Sequence, residues 1–328
     1  MNKVAILGSS SFFGKSLIDE YLTKGNLVLG LCRTSPNNPI MTSYLRNKNI
    51  SNLQIFEADL KLNIEGIIQR LRDFKPDYVI DAAGQGMVVE SWEQPHNWFE
   101  TNLSQKSKLL KALLSFEFLK KYIKISTPEV YGSYSNKLKT THSYNASTPY
   151  AISHSAIDML LQAYFKEFNF PMVIARFANF YGPEQQLYRI VPKSIITCLK
   201  SEKLGLHGGG ISKRSFIYKS DFVSAVELLV ENGELGKVYH FSDDSLFSIK
   251  EIVEIVCVLL NKNYDEFVFD VPERPGKDFK YDLDISESAS IGWKPTTGIR
   301  EGIENTIHWI TEYQDPILKM DLSYRYKP

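Results

Sequence analysis

From Lys3 to Arg176 short apolar runs alternate with longer amphipathic stretches, and no other feature restricts the fold of this chain as tightly. Apolar runs bounded by turn residues suit strands buried on both faces, and the amphipathic stretches between them suit the crossover helices that parallel strands need. The runs Lys3–Leu7, Leu27–Cys32, Leu53–Phe56, Tyr78–Ala82, Tyr122–Ile125 and Met172–Ala175 are predicted as strands. Lys15–Lys24, Ile64–Phe74, Trp98–Leu114 and Tyr150–Phe168 are predicted as helices. Six parallel strands joined this way make an α/β, doubly wound parallel sheet, whose ligand crevice lies beyond the C-terminal ends of the strands.

After Gly182-Pro183 the alternation loosens, and glycine-rich turns such as Gly208-Gly209-Gly210 and the segment Pro272–Gly276 punctuate shorter elements. The chain is therefore expected to divide into a main domain over residues 1–182 and a smaller C-terminal substrate-binding lobe over residues 183–328. Segments of about 215–260, with helices Asp221–Glu231 and Ser248–Leu260, are expected to pack back on the main domain. Ser248 followed by Glu251 has the spacing of a capping box at the start of the second helix.

Lys plus Arg equals Asp plus Glu at 38 each, so no global field draws the chain to nucleic acid or to an anionic membrane surface. The aromatic residues lack the basic stripe that a stacking nucleic-acid surface needs. Cys32, Cys198 and Cys257 lie far apart without metal-ligand spacing, which predicts buried free thiols, no metal site and a reducing, cytoplasmic location. No apolar stretch has the length of a membrane span, and Val4–Leu7 is too short for a signal-peptide core. His207-Gly-Gly-Gly210 imitates an esterase oxyanion loop, but the chain has no Gly-x-Ser-x-Gly nucleophile elbow.

Gly8-Ser-Ser-Ser11-Phe12-Phe13-Gly14 stands where the first strand turns into the first helix, whose unpaired N–H groups suit a pyrophosphate. Gly8 permits the tight turn and Gly14 permits close helix–strand packing, so residues 1–182 read as a dinucleotide-binding domain. The second strand ends in Cys32-Arg33-Thr34, with no acidic side chain for the ribose hydroxyls. Within an NAD(P) requirement, Arg33 favours NADP.

Ser126-Thr127-Pro128-Glu129-Val130-Tyr131-Gly132 follows the fifth strand, and Tyr150 opens a helix soon after. With the glycine loop, these residues resemble the extended short-chain dehydrogenase/reductases, the NAD-dependent epimerase/dehydratase family, from Gly8 to about Trp293. Phe99-Glu-Thr-Asn102, Asn179-Phe-Tyr-Gly-Pro183, Arg214-Ser-Phe-Ile217 with Asp221, and Glu273-Arg-Pro-Gly-Lys-Asp278 occur in the order seen in nucleotide-sugar 4,6-dehydratases of the dTDP-glucose type. The resemblance implies a Rossmann sheet, bound NAD(P), a nucleotide-diphosphate sugar used in surface-polysaccharide biosynthesis, and a homodimer through helices Trp98–Leu114 and Tyr150–Phe168. It implies cofactor contacts from Gly8, Ser11, Phe12, Phe13, Gly14, Arg33, Asp59, Leu60, Ala82, Ala83, Tyr150 and His154, and substrate contacts from Gln85, Asn179, Arg214 and Arg274. Asp59 would bond the adenine; its residue type also suits the start of the next helix. Ser11 departs from the family's middle glycine.

The chemistry implied begins with Tyr150 taking the carbon-4 hydroxyl proton while hydride passes to the nicotinamide, with Thr127 hydrogen-bonding the same oxygen. Glu129 would then remove the carbon-5 hydrogen, and loss of water from carbon 6 with return of hydride gives a 4-keto-6-deoxy sugar. Pro128 occupies the place of an aspartate that protonates the departing hydroxyl, and His154 occupies that of a lysine one helical turn beyond Tyr150. At about 5 Å and an effective dielectric of about 20, a lysine charge is worth about 3 kcal/mol, or about two pKa units. His154 is expected to charge only as the pH falls towards about 6.5, and a lysine restored there to accelerate the redox step by at most about a hundredfold. Pro128 keeps a 4-epimerase or 4-ketoreductase open, and His154 with Ser11 keeps open a catalytically silent sugar-nucleotide or dinucleotide sensor.

Overall fold

The computed structural model describes residues 1–134, 136–272 and 280–324. The first half runs β1 (Lys3–Leu7), α1 (Phe12–Thr23), β2 (Leu27–Cys32), β3 (Leu53–Glu57), α2 (Ile64–Phe74), β4 (Tyr78–Asp81), α3 (Pro95–Phe99), α4 (Gln105–Leu113), β5 (Lys121–Ser126), α5 (Pro149–Phe168) and β6 (Met172–Phe177). There follow β7 (Asn179–Tyr181), α6 (Ile190–Leu199), β8 (Leu204–His207), β9 (Lys213–Arg214), β10 (Phe216–Tyr218), α7 (Lys219–Asn232), β11 (Val238–Phe241), β12 (Phe247–Ser248) and α8 (Ile249–Leu259). The chain closes with α9 (Tyr264–Phe267), β13 (Val268–Val271), β14 (Lys280–Tyr281), α10 (Ser286–Ser290), α11 (Ile299–Glu312) and α12 (Gln314–Leu318). A π-helical turn over Glu100–Ser104 joins α3 to α4, so the stretch predicted as one helix is one rod with a wide turn inside it.

Seven parallel strands form the central sheet in the order β11-β6-β5-β4-β1-β2-β3, which is the doubly wound architecture. The predicted runs supply six of them. The seventh, β11, joins the edge in register with β6, Val238 opposite Ile174. Successive strands are laid down to one side of β1 and then to the other, so the order reverses between β1 and β4 and opens a crevice above their C-terminal ends. Side-chain alternation puts Val4 and Ile6 of β1 into one apolar layer and Ala5 and Leu7 into the other.

The first layer holds α1 and α7 against the sheet. Phe13 stacks on Phe222 of α7 with ring centroids 4.6 Å apart, and Phe12, Phe177 and Phe180 close around the pair. This fixes the first turn of α1, the segment that faces the crevice. A third apolar cluster unites α6, α8, α11 and α12 away from the sheet. The expectation that both later helices return to the main domain is corrected for one of them: α7 packs on α1, β5 and β6, whereas α8 packs on α6 and α11. The capping box at Ser248 and Glu251 is present in both directions. Cys32, Cys198 and Cys257 are buried free thiols, and no described helix is long and apolar enough to cross a membrane.

Candidate functional site

The loop between β1 and α1 is built for close approach. Gly8 has a positive φ of 78°, and a Cβ there would stand 2.7 Å from the Ala82 carbonyl oxygen at the end of β4. A Cβ on Gly14 would stand 2.4 Å from the Gly8 oxygen, so helix and strand touch backbone to backbone. Ser11 is the N-cap of α1, its Oγ accepting the Gly14 N–H at 3.0 Å. It therefore fills the turn that a glycine would leave open, while the N–H groups of Phe12 and Phe13 remain without intrahelical acceptors, as in any first turn. The side chains of Phe12 and Phe13 lie in the core, so what these two residues can offer a dinucleotide is backbone.

Around the crevice, Ala82 and Ala83 follow β4, and Leu60 is buried beyond β3. Asp59 forms a turn, its Oδ1 accepting the Lys61 N–H at 2.7 Å; the helix cap it was thought able to provide is Asn63 instead. Arg33 is exposed at the end of β2. Sequence reasoning missed an acidic group here: Glu57 of β3 stands in register with Cys32 and accepts the Ser35 N–H at 2.7 Å. Pairing β2 with β3 end to end would have revealed it.

At the end of β5, Thr127 caps a short 3₁₀ turn over Pro128–Tyr131, its hydroxyl accepting the Glu129 N–H at 3.2 Å. Tyr150 lies in the first turn of α5, after the Thr148 cap, and its hydroxyl shares a hydrogen bond with Thr127. Burial and the nearby Glu129 carboxylate push its pKa above the ordinary phenol value, against the lowering effects of the Thr127 hydrogen bond and the Arg189 guanidinium. Arg189 is a second residue sequence reasoning missed; it stands at the N-terminal end of α6, and its charge acts on Tyr150. Thr127, Glu129 and Tyr150 thus meet at one point. His154 packs its ring on Tyr150 at 4.7 Å, is 7% exposed, and its Nδ1 has no hydrogen-bond partner. Burial, and then the Lys124 and Lys106 side chains, push its pKa down from the ordinary imidazole value.

Those lysines belong to a buried cluster. Lys106 of α4 donates to both Asp81 oxygens, at 2.8 and 2.6 Å, and to the Ala83 carbonyl. Tyr122 donates to Asp81 at 2.7 Å, and Lys124 lies 3.7 Å from the same carboxylate. Burial alone would raise the Asp81 pKa, but Lys106, Lys124 and these hydrogen bonds hold it down at about 2. Burial and Lys124 push Lys106 down, and Asp81 offsets part of that. In the π turn, Asn102 accepts the Gln85 N–H at 2.8 Å and donates to the Gln85 carbonyl and to Ser153 Oγ, tying the crevice to α5. Asn179 of β7 donates its N–H to the Ser215 carbonyl, which brings it beside Arg214. Arg274 lies outside the described residues.

A family model described as "NAD dependent epimerase/dehydratase family" matches residues 4–241. The dTDP-D-glucose 4,6-dehydratase of Dictyostelium discoideum is 29% identical over 94% of this chain and 81% of its own. That of Mus musculus is 30% identical over 72% and 68%. Among solved structures, the dTDP-glucose 4,6-dehydratase of Streptomyces venezuelae with NAD and TYD bound superposes with a TM-score of 0.87 at 22% identity, covering 96% of this chain and 99% of that one. The UDP-glucose 4-epimerase of Thermotoga maritima with UDP-glucose gives 0.86 at 23%, covering 95% and 100%.

Replacing Asp81 by Asn removes the carboxylate that takes the Lys106 and Tyr122 hydrogen bonds in the interior and is expected to cost about 3–5 kcal/mol in chemical denaturation. Because the folded pKa of Asp81 is depressed, its contribution is whole above about pH 4 and lost as the pH falls towards 2. The gap between the wild type and Asp81→Asn should therefore narrow in acid; a gap independent of pH would show that the carboxylate is not the charge balancing the lysines.

Proposed function

This chain belongs to the NAD-dependent epimerase/dehydratase family, and on that premise we propose that it oxidises the hexose of a nucleotide-diphosphate sugar at carbon 4 and then eliminates water, as a 4,6-dehydratase. The observation that carries the reading is the convergence of Thr127, Glu129 and Tyr150 beyond the end of β5. The glycine loop fits the dinucleotide, since Gly8 and Gly14 leave no room for side chains and the first turn of α1 presents N–H groups to a pyrophosphate. When bound, NAD(P) supplies the hydride acceptor and returns the hydride.

Tyr150 removes the carbon-4 hydroxyl proton, and Thr127 holds the same oxygen in line. The resulting ketone acidifies carbon 5, from which Glu129 takes a proton. Pro128 has no proton to give, so Glu129 passes its own to the hydroxyl leaving carbon 6, acting as base and acid in turn. Arg189 and Arg214, from the residue 183–328 side, and Asn179 of β7 supply donors for the diphosphate and sugar. Lack of a second acid favours epimerisation or ketoreduction as the competing outcome. Arg33 attracts a 2′-phosphate and Glu57 opposes it, which leaves a modest NADP preference resting on Arg33. Ile152 and Met159, exposed two turns apart on α5, support a homodimer through α4 and α5.

Mass spectrometry of products from a panel of nucleotide sugars in deuterated water is expected to show loss of water with deuterium in the sugar; a stereoisomer of unchanged mass would identify an epimerase instead. In Glu129→Gln, exchange of the carbon-5 hydrogen should disappear while sugar-nucleotide binding persists, and exchange at the wild-type rate would exclude Glu129 as the base. Arg33→Ala should lower NADP affinity and leave NAD affinity unchanged; equal loss for both would remove Arg33 from cofactor selection.

A further inference from the structure

Glu184 holds a conformation that its residue type resists. Its φ is 71°, in the left-handed region, directly after Gly182-Pro183 and shortly before Arg189. A residue other than glycine stays there only when its surroundings fix it, and Glu184 is held at both its backbone and its side chain. The turn is tied back to β7, with the Gln185 N–H donating to the Gly182 carbonyl at 3.3 Å and Gln185 Nε2 to the Phe180 carbonyl at 2.7 Å. The buried Glu184 carboxylate accepts the Ser43 N–H at 3.2 Å and the Ser43 hydroxyl at 3.3 Å, both at Oε2, and Lys219 Nζ stands 3.5 Å from the same oxygen. The Glu184 carbonyl accepts from buried Lys15 Nζ at 3.3 Å, and Lys15 also donates to the Met41 carbonyl.

Met41 and Ser43 belong to the connection between β2 and β3, which opens with Arg33. That connection is shared between two cores. Tyr44 lies in the apolar layer that holds α1 and α7, whereas Ile40 and Met41 pack against the cluster of α6, α8, α11 and α12. Glu184 fastens the chain where it passes from one core to the other, and Lys15, the residue after Gly14, reaches the same point from the first turn of α1. One buried residue thus joins the start of α1, the β2–β3 connection and the stretch from Asn179 to Arg189. In the function proposed above, the first two border the dinucleotide and the third carries donors for the diphosphate.

We propose that Glu184 couples the two ligands: the Ser43 hydrogen bonds to its carboxylate make the dinucleotide and the nucleotide diphosphate each bind more tightly in the presence of the other. The inference rests on the proposed function, which supplies both ligands. A diphosphate held by Asn179 and Arg189 orders their stretch and, through Glu184, the β2–β3 connection. A dinucleotide arriving afterwards meets a crevice already ordered on the side assigned to Arg33, and linkage makes the sequence of binding immaterial. Glycine adopts a φ of 71° freely, so Glu184→Gly removes the clasp and relieves the backbone at once, whereas Glu184→Gln keeps an oxygen for Ser43.

The test uses the full chain as wild type, Glu184→Gly and Glu184→Gln. Calorimetry measures the affinity for NAD and NADP with and without saturating thymidine or uridine diphosphate, and for each diphosphate with and without dinucleotide. Amide hydrogen exchange over residues 39–46 is followed with diphosphate alone. In the wild type the diphosphate is expected to tighten the dinucleotide about tenfold, the dinucleotide to tighten the diphosphate by the same factor, and exchange over 39–46 to slow. Glu184→Gly is expected to fold and bind each ligand alone, with a coupling factor of about one and no response over 39–46. Glu184→Gln should retain most of the coupling. A role in stability alone would shift the melting temperature or both affinities and leave the factor unchanged.

A wild-type factor of about one with both ligands bound overturns the proposal, as does a Glu184→Gly protein that couples like the wild type. So does a Glu184→Gln factor as low as that of Glu184→Gly, because the Ser43 hydrogen bonds would then not carry the coupling. If neither diphosphate binds the wild type, the sugar-nucleotide reading fails and takes the coupling with it; failure with both ligands bound concerns the coupling alone.

Discussion

The Asp81 carboxylate, gripped by Lys106, is the interaction on which the crevice depends. It sits at the last residue of β4, immediately before the Ala82-Ala83 segment that meets the glycine loop. One ammonium group bonds both the carboxylate and the Ala83 carbonyl, so α4, β4 and the loop above them are positioned together. Tyr122 and Lys124 bring β5 into the same arrangement. In a low-dielectric interior these contacts are strong when complete and costly when broken, which makes the crevice rigid rather than adaptable.

That rigidity matters to the chemistry because the reactive phenol is in an unfavourable environment for ionisation. Burial and Glu129 both oppose a tyrosinate at 150. The same Glu129 must stand close to act on carbon 5, so its repulsion is a consequence of having the two groups in one site. Positive charge has to come from elsewhere, and among the described residues Arg189 supplies it.

How much of this was legible in the sequence follows from how local each signal is. Six strands could be read because their apolar runs are continuous; β11 was missed because His240 sits in it, buried only through Tyr131 and the Leu138 carbonyl, partners far away in the chain. Thr127, Glu129 and Tyr150 were legible as a motif. Phe12 and Phe13, legible in sequence only as part of the glycine loop, open α1 itself, and their neighbours Phe177, Phe180 and Phe222 come from distant elements, so nothing local showed that their rings face the core. Lys124 and Asp81 were visible as charges inside or beside runs assigned to buried strands. Their meaning depended on Lys106, which on its helix looks like any solvated lysine until the strands are aligned.

The π turn over Glu100–Ser104 has a consequence for how this region can vary. A helix advances about 100° per residue, and the wide turn absorbs one residue more than an α-helical turn would. It thereby sets the phase in which Asn102 points at Gln85 and Ser153 while Lys106 points at Asp81. Losing or gaining a single residue there would leave a perfectly good helix, yet swing one of the two anchors about a quarter turn off its target. Substitutions on the outer face of this rod are mechanically cheap, whereas its length is locked like a gear tooth count.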